Sequence, residues 1–232
     1  MAKLKKKQSL QQQHFSLRNI QPMTANQEKA FQEYDSGKNL MLHGAAGTGK
    51  TFISMYLALE EILRKNSYYN RIVVIRSVVP SRDMGFLPGN SKEKAKVYEE
   101  PYREICDDLF GRGDGYDILR MKNLVDFTTT SFLRGVTFRD AIVIVDECQN
   151  LSGHECDTVI TRVGDNSKII FCGDFKQTDL QRKEREGFLQ FSNVLHNLNS
   201  FAFIEFGTED IVRSGLVKEY IIEKDRMNIQ FA

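Results

Sequence analysis

The fold is decided by the stretch Gly44-Ala45-Ala46-Gly47-Thr48-Gly49-Lys50-Thr51, which fills every position of the pattern GxxxxGK(S/T). Leu40–His43 before it has the apolar character of a strand, and Thr51–Lys65 after it has the pattern of a helix. Glycines let the backbone turn several N–H groups toward one phosphate, and the helix presents its positive N-terminal end to that anion. The stretch therefore predicts a nucleotide site, with Lys50 at the β- and γ-phosphates and Thr51 supplying an oxygen to Mg²⁺.

Short apolar runs alternate with longer amphipathic stretches from residue 38 onward. The runs are rich in Val and Ile without strict alternation, which is typical of parallel strands buried on both faces. Strands are predicted at Asn39–His43, Arg71–Ile75, Val125–Thr129, Ala141–Val145, Lys168–Cys172 and Ala202–Phe206. Helices are predicted at Thr51–Lys65, Lys92–Phe110, His154–Val163, Phe188–Leu198 and Ile211–Lys224, with Pro101 dividing the second of them. This alternation predicts an α/β fold with a mostly parallel central sheet flanked by helices.

The composition is that of a globular chain, with 41% hydrophobic and 27% charged residues among 232. The net charge of +1 argues against wholesale binding to polyanions. It conceals a basic N-terminal segment that contains no acidic residue and carries Lys3, Lys5, Lys6, Lys7 and Arg18. We divide the chain into a basic flexible arm, residues 1–19, in which flexibility is expected up to about Gln13, and a core, residues 20–232. The arm either solubilises the protein or contacts a phosphate backbone.

Membrane and secretory classes are not supported by the sequence. The longest aliphatic run, Ala141–Val145, is too short to span a bilayer. No apolar stretch follows the basic N-terminus, as it would in a secretory signal. The four cysteines lie far apart, which fits reduced thiols in a cytosol better than a disulfide framework or a zinc site.

The second signal of chemistry is a pair of carboxylates, Asp146 and Glu147, directly after the run Ala141–Val145. The carboxyl ends of strands are where α/β sheets bind ligands. We expect Asp146 to hold Mg²⁺ through water and Glu147 to be the general base for an attacking water. A further strand end carries Asp174 and Gln177; the Gln177 amide is a candidate detector of the γ-phosphate, and Asp174 is either part of the site or a turn residue.

The order of these motifs resembles the PhoH family of ATPases over about Ile20–Asp225, and the cores of that family are similar to the first motor domain of superfamily 1 helicases. The segments that carry the resemblance are Asp146-Glu147-Cys148-Gln149-Asn150, Gly173–Leu180, Asp210–Arg213 and Gly85–Gly89. Two departures are Cys148, where the family has Ala, and Ser77, where it more often has Pro. The resemblance implies a single RecA-like P-loop NTPase domain that uses ATP and Mg²⁺. It also implies that Gln27, in a segment similar to the helicase Q motif, grips the edge of the adenine.

Arg213 has three possible roles. Superfamily 1 helicases close ATP between two tandem cores, and this chain has room for one. Arg213 therefore reaches its own site, serves a neighbouring subunit, or forms a surface salt bridge with Asp210 or Glu209. The PhoH resemblance favours the second possibility, so we expect a homo-oligomer, a hexameric ring in which Arg213 acts in trans on the γ-phosphate.

Contacts with single-stranded RNA or DNA are expected where strands of the predicted sheet end. Arg76 and Arg82 follow one strand end and Arg134 follows another, each open between phosphate binding and structural pairing. Phe132 and Phe86 are candidates for base stacking, although core packing is favoured for both.

The leading hypothesis is an ATP-hydrolysing ring that acts on single-stranded RNA or DNA as a helicase-like motor or remodeller. The alternative is an ATP-dependent oligomeric switch that binds a partner protein without unwinding. A third possibility is a nucleotide or small-molecule kinase, for which no acceptor-pocket signature is present. The expected location is the cytoplasm, or the host cytoplasm if the chain is viral.

Overall fold

The computed structural model describes residues 15–77, 91–175, 180 and 182–227. Its helices are α1 (Ala25–Asp35), α2 (Lys50–Leu63), α3 (Ser91–Phe110), α4 (Gly115–Met121), α5 (Gly153–Ile160), α6 (Arg182–His196) and α7 (Gly215–Arg226). Its strands are β1 (Asn39–Gly44), β2 (Arg71–Arg76), β3 (Val125–Thr129), β4 (Ala141–Asp146), β5 (Lys168–Gly173) and β6 (Phe201–Phe206). The strand predictions are confirmed to within one residue at either end.

Within the described residues, the strands form one six-stranded sheet in the order β3-β2-β4-β5-β1-β6. Every pairing in it is parallel, so the predicted α/β fold is confirmed and the sheet is parallel throughout. The carboxyl ends of all the strands consequently lie at one edge. Only β5 separates β1 from β4, and this order brings the segments that follow Gly44 and Asp146 to neighbouring places on that edge.

The core consists of two hydrophobic clusters, one on each face of the sheet. In β4, Ile142 and Ile144 enter one cluster while Val143 and Val145 enter the other, and all four are fully buried. The burial on both faces that the Val- and Ile-rich runs predict is therefore confirmed.

The helix α3 runs without a break through Pro101, so the predicted division of this helix is wrong. Tyr102, Cys106 and Leu109 share one face of α3 and are fully buried. Packing of this face against the core offsets the backbone hydrogen bond that proline removes, a loss of about 3 kcal/mol in a helix interior. None of the helices in the described ranges has the length and apolar character needed to cross a membrane.

The helix α1 was not predicted, although its sequence contains a start signal. Thr24 is the N-cap and its hydroxyl accepts a hydrogen bond from the backbone N–H of Gln27. Thr and Gln at this spacing are the residues of a capping box. The helix has few apolar residues, so no apolar face marks it in the sequence. Only Gln27, Ala30 and Tyr34 of its residues are buried.

The segment just before α1 packs against the core, although the sequence assigns residues 15–19 to the arm. The ring of Phe15 stacks on that of Phe110 at 4.1 Å between centroids. The guanidinium of Arg18 pairs with the carboxylate of Asp108 at 2.8 Å. Phe15 therefore belongs to the packed region; residues 1–14 lie outside the described part of the chain.

Candidate functional site

The phosphate loop, Gly44–Thr51, joins β1 to α2 as the motif predicts. Gly44 and Gly47 have φ values of 118° and 75°, in the region that favours glycine. A Cβ atom on Gly44 would lie 2.1 Å from the carbonyl oxygen of Phe206, which also accepts a hydrogen bond from the N–H of Ala45. The end of β6 therefore fixes the start of the loop, and no larger residue fits there.

Lys50 folds over the loop that carries it. Its Nζ donates to the carbonyl oxygens of Gly44 at 2.9 Å and Ala45 at 2.7 Å. Burial lowers the pKa of Lys50, while nearby acidic groups, Asp174 first among them, oppose that shift. The ammonium group is thus poised above the loop, where phosphate oxygens can replace the carbonyls as its partners.

Thr51 and Asp146 form the candidate site for Mg²⁺. The Thr51 hydroxyl donates to Oδ1 of Asp146 at 2.8 Å. Asp146 is 6% exposed at the end of β4, and burial followed by the charge of Glu147 raises the pKa of its carboxyl. In the described ranges, no group of three or more His, Cys, Asp and Glu could hold a metal. An oxygen-only pair beside a phosphate loop fits Mg²⁺, which proteins commonly bind with one or two carboxylates together with substrate phosphates.

Glu147 adopts a left-handed backbone conformation, with φ 51° and ψ 41°. Such a conformation is strained for a residue with a side chain, and strain of this kind concentrates at functional sites. Gln149 donates to Oε2 of Glu147 at 2.6 Å, and its own Oε1 accepts from the N–H of Asp174 at 3.1 Å. A Cβ atom on Gly173 would lie 2.6 Å from that Oε1, so the glycine makes room for the amide. Gln149 therefore fixes the direction of the Glu147 carboxylate.

The role of Gln149 went unrecognised in the sequence, where this residue entered only as a letter of a motif. Gln149 is positioned by the 3₁₀ helix Cys148–Asn150, and an element of three residues is too short to produce a periodic sequence pattern. The burial of its side chain, 3% exposed, is what identifies it as part of the site.

Gln27 contacts the phosphate loop directly. Its Nε2 donates to the carbonyl oxygen of Thr48 at 3.0 Å, and its Oε1 accepts from the N–H of Met23 at 2.7 Å. The side chain is 4% exposed. Both ends of the amide are thus engaged by backbone groups, and a contact with adenine would require one of them to be exchanged.

Arg213 lies beside the phosphate loop of its own chain. A Cβ atom on Gly47 would lie 2.8 Å from Cγ of Arg213, and the N–H of Val212 donates to the carbonyl oxygen of Gly47 at 3.1 Å. The carboxylate of Asp210 accepts from Asn26 and from Gly207 instead. Among the described residues no carboxylate forms an ion pair with Arg213. Arg213 is therefore placed beside the phosphate loop, and the salt bridge with Asp210 or Glu209 that the sequence left open does not occur among the described residues.

These groups surround a cavity of about 920 Å³. Ile20, Phe31 and Ile105 contribute apolar surface, while Lys50, Asp146 and Arg213 contribute charge. A cavity with an apolar part and a cationic part has the character required by a nucleotide, whose base is apolar on its faces and whose phosphates are anionic.

Arg76, for which the sequence leaves phosphate binding and structural pairing open, lines this cavity. It pairs in register with Asp146 across β2 and β4, and its guanidinium lies 5.7 Å from the ring centroid of Tyr98. Burial raises the pKa of Asp146, and the charge of Arg76 opposes that effect. Arg76 therefore lies close to the carboxylate assigned to Mg²⁺. Arg82, Phe86 and Gln177 fall outside the described residues.

The second candidate surface is the β3 rim, Thr130–Gly135, at the carboxyl end of β3. Phe132 is 59% exposed, so the core packing favoured for it is wrong. Arg134 is also exposed, and it forms no ion pair within the part of the chain that the structure describes. The rim presents an aromatic ring and a guanidinium to solvent two residues apart.

Glu155 connects the β3 rim to the segment that follows Glu147. Its carboxylate accepts from the Thr130 hydroxyl at 2.6 Å and from the N–H of Ser152 at 2.9 Å. Ser152 and Glu155 form a capping box at the start of α5. The same carboxylate therefore caps α5 and links the segment after β3 to the segment after β4.

Comparison with known proteins identifies relatives over most of the chain. The sequence profile of the family described as PhoH-like protein matches residues 19–223. A PhoH-like protein of Bacillus subtilis is 33% identical over 186 residues, which cover 80% of this chain and 57% of that protein. Protein PhoH of Escherichia coli K12 is 34% identical over 184 residues, which cover 78% of this chain and 51% of that protein. The chain spans about half the length of the curated relatives it matches.

Solved structures offer a more distant similarity. The Sulfolobus solfataricus SWI2/SNF2 ATPase core in complex with dsDNA is 12% identical, with a TM-score of 0.46, and the match covers 81% of this chain and 47% of that one. Pif1 helicase from Candida albicans is 14% identical, with a TM-score of 0.38, and the match covers 81% of this chain and 40% of that one.

Proposed function

This chain belongs to the PhoH-like protein family, and we propose on that premise that it binds ATP with Mg²⁺ and hydrolyses it. The observation that carries the proposal is the meeting of Lys50, Thr51, Asp146 and Glu147 at one edge of the sheet, with Glu147 held by Gln149 at 2.6 Å. These are the residue types needed to bind phosphates, to hold Mg²⁺ and to activate water, and they lie next to one another.

The phosphates of ATP would lie in the phosphate loop, against its N–H groups and the N-terminus of α2. Lys50 exchanges its carbonyl partners for oxygens of the β- and γ-phosphates. Thr51 and Asp146 would hold Mg²⁺, which neutralises phosphate charge when bound. The apolar surface of the cavity receives the base, and we propose that Gln27 exchanges one backbone partner to contact adenine.

Glu147 is the proposed general base. Its carboxylate is fixed by Gln149 and lies next to the residue that would hold the cation, so it can orient a water and accept its proton. Gln177 remains a candidate detector of the γ-phosphate. Hydrolysis is favoured over transfer to a second substrate because a carboxylate in this place activates water.

Arg213 is proposed to stabilise the charge that spreads over the γ-phosphate in the transition state. Its position over Gly47 supports action within its own chain. A hexameric ring in which Arg213 acts in trans is the second possibility, and it predicts that turnover per subunit falls when the protein is diluted. Equal turnover per subunit at all dilutions would exclude the ring as a requirement.

The partner that we propose is single-stranded RNA or DNA, bound at the β3 rim in a helicase-like manner. Phe132 can stack on a base and Arg134 can pair with a phosphate, since both are exposed. Glu155 supplies a physical connection from this rim to the segment carrying Glu147. Arg82 and the basic arm are further candidates for phosphate contacts, and a cytoplasmic location stays a prediction.

The experiment is a measurement of ATP turnover with and without single-stranded RNA and single-stranded DNA at low salt. We expect Mg²⁺-dependent turnover that rises when one of the two nucleic acids is added. Turnover that responds to neither would contradict the nucleic-acid proposal while leaving the ATPase proposal intact.

A second candidate function is an ATP-dependent switch that binds a partner protein. The observation in its favour is α7, whose residues include no buried side chain, and on which Leu216 and Tyr220 are 80% and 57% exposed. The Glu147→Gln protein, which should retain ATP, separates the two functions. If it captures a protein in the presence of ATP and binds no nucleic acid, the switch is favoured.

A further inference from the structure

A buried hydroxyl group from α3 contacts the carboxylate that we assign to Mg²⁺. The Tyr102 hydroxyl donates to Oδ2 of Asp146 at 2.9 Å, whereas the Thr51 hydroxyl donates to Oδ1. The two oxygens of Asp146 therefore have different partners. One partner belongs to the phosphate loop and the other comes from a helix distant in sequence.

Tyr102 is held rigidly in this position. The residue is fully buried, and its ring packs on that of Phe127 with 5.6 Å between centroids. Its hydroxyl is the donor in the hydrogen bond to Asp146. A neutral donor of this kind can orient a carboxylate and leave its negative charge in place. A lysine or arginine at the same position would neutralise that charge.

Both hydrogen bonds are compatible with a bound cation. A hydroxyl oxygen has two lone pairs, so Thr51 can offer one to the cation while its proton stays on Oδ1, and Asp146 would then hold the cation through a bound water. The bond from Tyr102 lies on Oδ2 and can persist. Tyr102 can therefore hold the carboxylate in one orientation both before and after the cation binds.

We propose that Tyr102 is a positioning residue for the divalent cation, because its hydroxyl fixes the rotation of the Asp146 carboxylate and keeps Oδ1 turned toward Thr51 and the cation. The inference rests on the proposed assignment of Asp146 to Mg²⁺. Outer partners of metal-binding groups act in this way in other proteins, and their removal typically weakens metal affinity by about 10- to 100-fold.

The test compares Tyr102→Phe with Tyr116→Phe. Tyr116 is also almost fully buried and donates its hydroxyl to Glu99, which lies outside the residues that line the nucleotide cavity. Both variants thus lose one buried hydroxyl, and only one of them loses a contact with Asp146. Binding of Mn²⁺, a spectroscopic substitute for Mg²⁺, is measured by electron paramagnetic resonance on the protein saturated with ADP.

We expect Tyr102→Phe to raise the half-saturating Mn²⁺ concentration about tenfold or more, while Tyr116→Phe leaves it unchanged and both bind ADP in EDTA like the wild type. A Tyr102→Phe protein with a lower melting temperature and an unchanged Mn²⁺ affinity would overturn the proposal, because the hydroxyl would then serve stability alone. In an Asp146→Asn background the Tyr102→Phe change should have no further effect on Mn²⁺ binding, and an undiminished effect there would also overturn it.

The binding measurement does not require hydrolysis. A wild-type protein that binds Mn²⁺ with ADP but does not turn over ATP would remove the proposed ATPase and leave the role of Tyr102 standing. A wild-type protein that shows no Mn²⁺ binding with ADP would overturn the role of Tyr102.

Discussion

The nucleotide site and the β3 rim lie at the same edge of one sheet and are built in opposite ways. In the nucleotide site, Lys50, Asp146 and Gln149 are at least partly buried and hydrogen-bonded to the protein. On the β3 rim, Phe132 and Arg134 are exposed. A preorganised, buried site suits chemistry, since its groups do not have to be rearranged by a reacting substrate. Exposed side chains suit a long polymer that must be able to bind and leave.

Among the variants considered, Arg213→Ala should show the largest difference between the nucleotide site and the β3 rim. If Arg213 stabilises the transition state, turnover should fall by about 10³-fold or more while ATP affinity changes little. Turnover is measured by phosphate release and affinity by titration with a fluorescent nucleotide. Arg134→Ala is the matched control, because it removes an exposed arginine from the other region.

A rate for Arg213→Ala close to that of the wild type would contradict the role in catalysis. It would leave the proximity to Gly47 as a structural contact only.

Glu147→Gln should have the next largest effect. Removal of a general base typically lowers a rate by about 10²- to 10⁴-fold. The amide is nearly isosteric with the carboxylate, so ATP should remain bound, and this can be followed as retained nucleotide after gel filtration. A variant that turns over ATP normally would show that another group activates the water.

Phe132→Ala should weaken binding of single-stranded nucleic acid, since stacking on an aromatic side chain contributes about 1–3 kcal/mol per base. Fluorescence anisotropy with a labelled oligonucleotide measures the change. Tyr68→Ala is the control, because Tyr68 is 78% exposed and precedes β2, at the opposite edge of the sheet. Equal affinities for the two variants would remove the β3 rim from the proposed interface.

Asp146→Asn should produce the smallest change, an increase in stability without ligand. Burial raises the pKa of Asp146 in the folded protein, so folding is disfavoured once the pH exceeds the carboxyl's ordinary pKa, and the loss is complete above the raised value. Removing the charge should raise the melting temperature at neutral pH, although the loss of one of the two hydrogen bonds to the carboxylate offsets part of that rise. The difference should vanish at acidic pH, where the carboxyl is protonated, and a difference independent of pH would contradict this account.

The same contrast explains what could be predicted from the sequence. The phosphate loop and the six strands depend on contiguous residues and on local apolar runs, so their patterns indicate them directly. The roles of Gln149 and Tyr102 depend on segments that meet only in the folded chain. Phe132 was assigned to the core although its side chain is exposed, because a strand end has two sides and the sequence of a loop does not state which side its long side chains take.

The α3 helix illustrates a second limit. Pro101 predicts a break from local chemistry alone, whereas the packing of Tyr102 and Leu109 against the core keeps the helix continuous. Tertiary packing that opposes a local signal is not visible in the residues that carry the signal.

The most direct test of a nucleotide site completed within one chain is a mixture of the Arg213→Ala and Glu147→Gln proteins. We predict that equal amounts of the two, mixed under conditions in which the wild type hydrolyses ATP, show only the sum of their separate low rates, because each site lacks a group that no neighbour supplies. Turnover well above that sum would contradict the account, since it would mean that the intact Arg213 of one subunit serves the intact Glu147 of another.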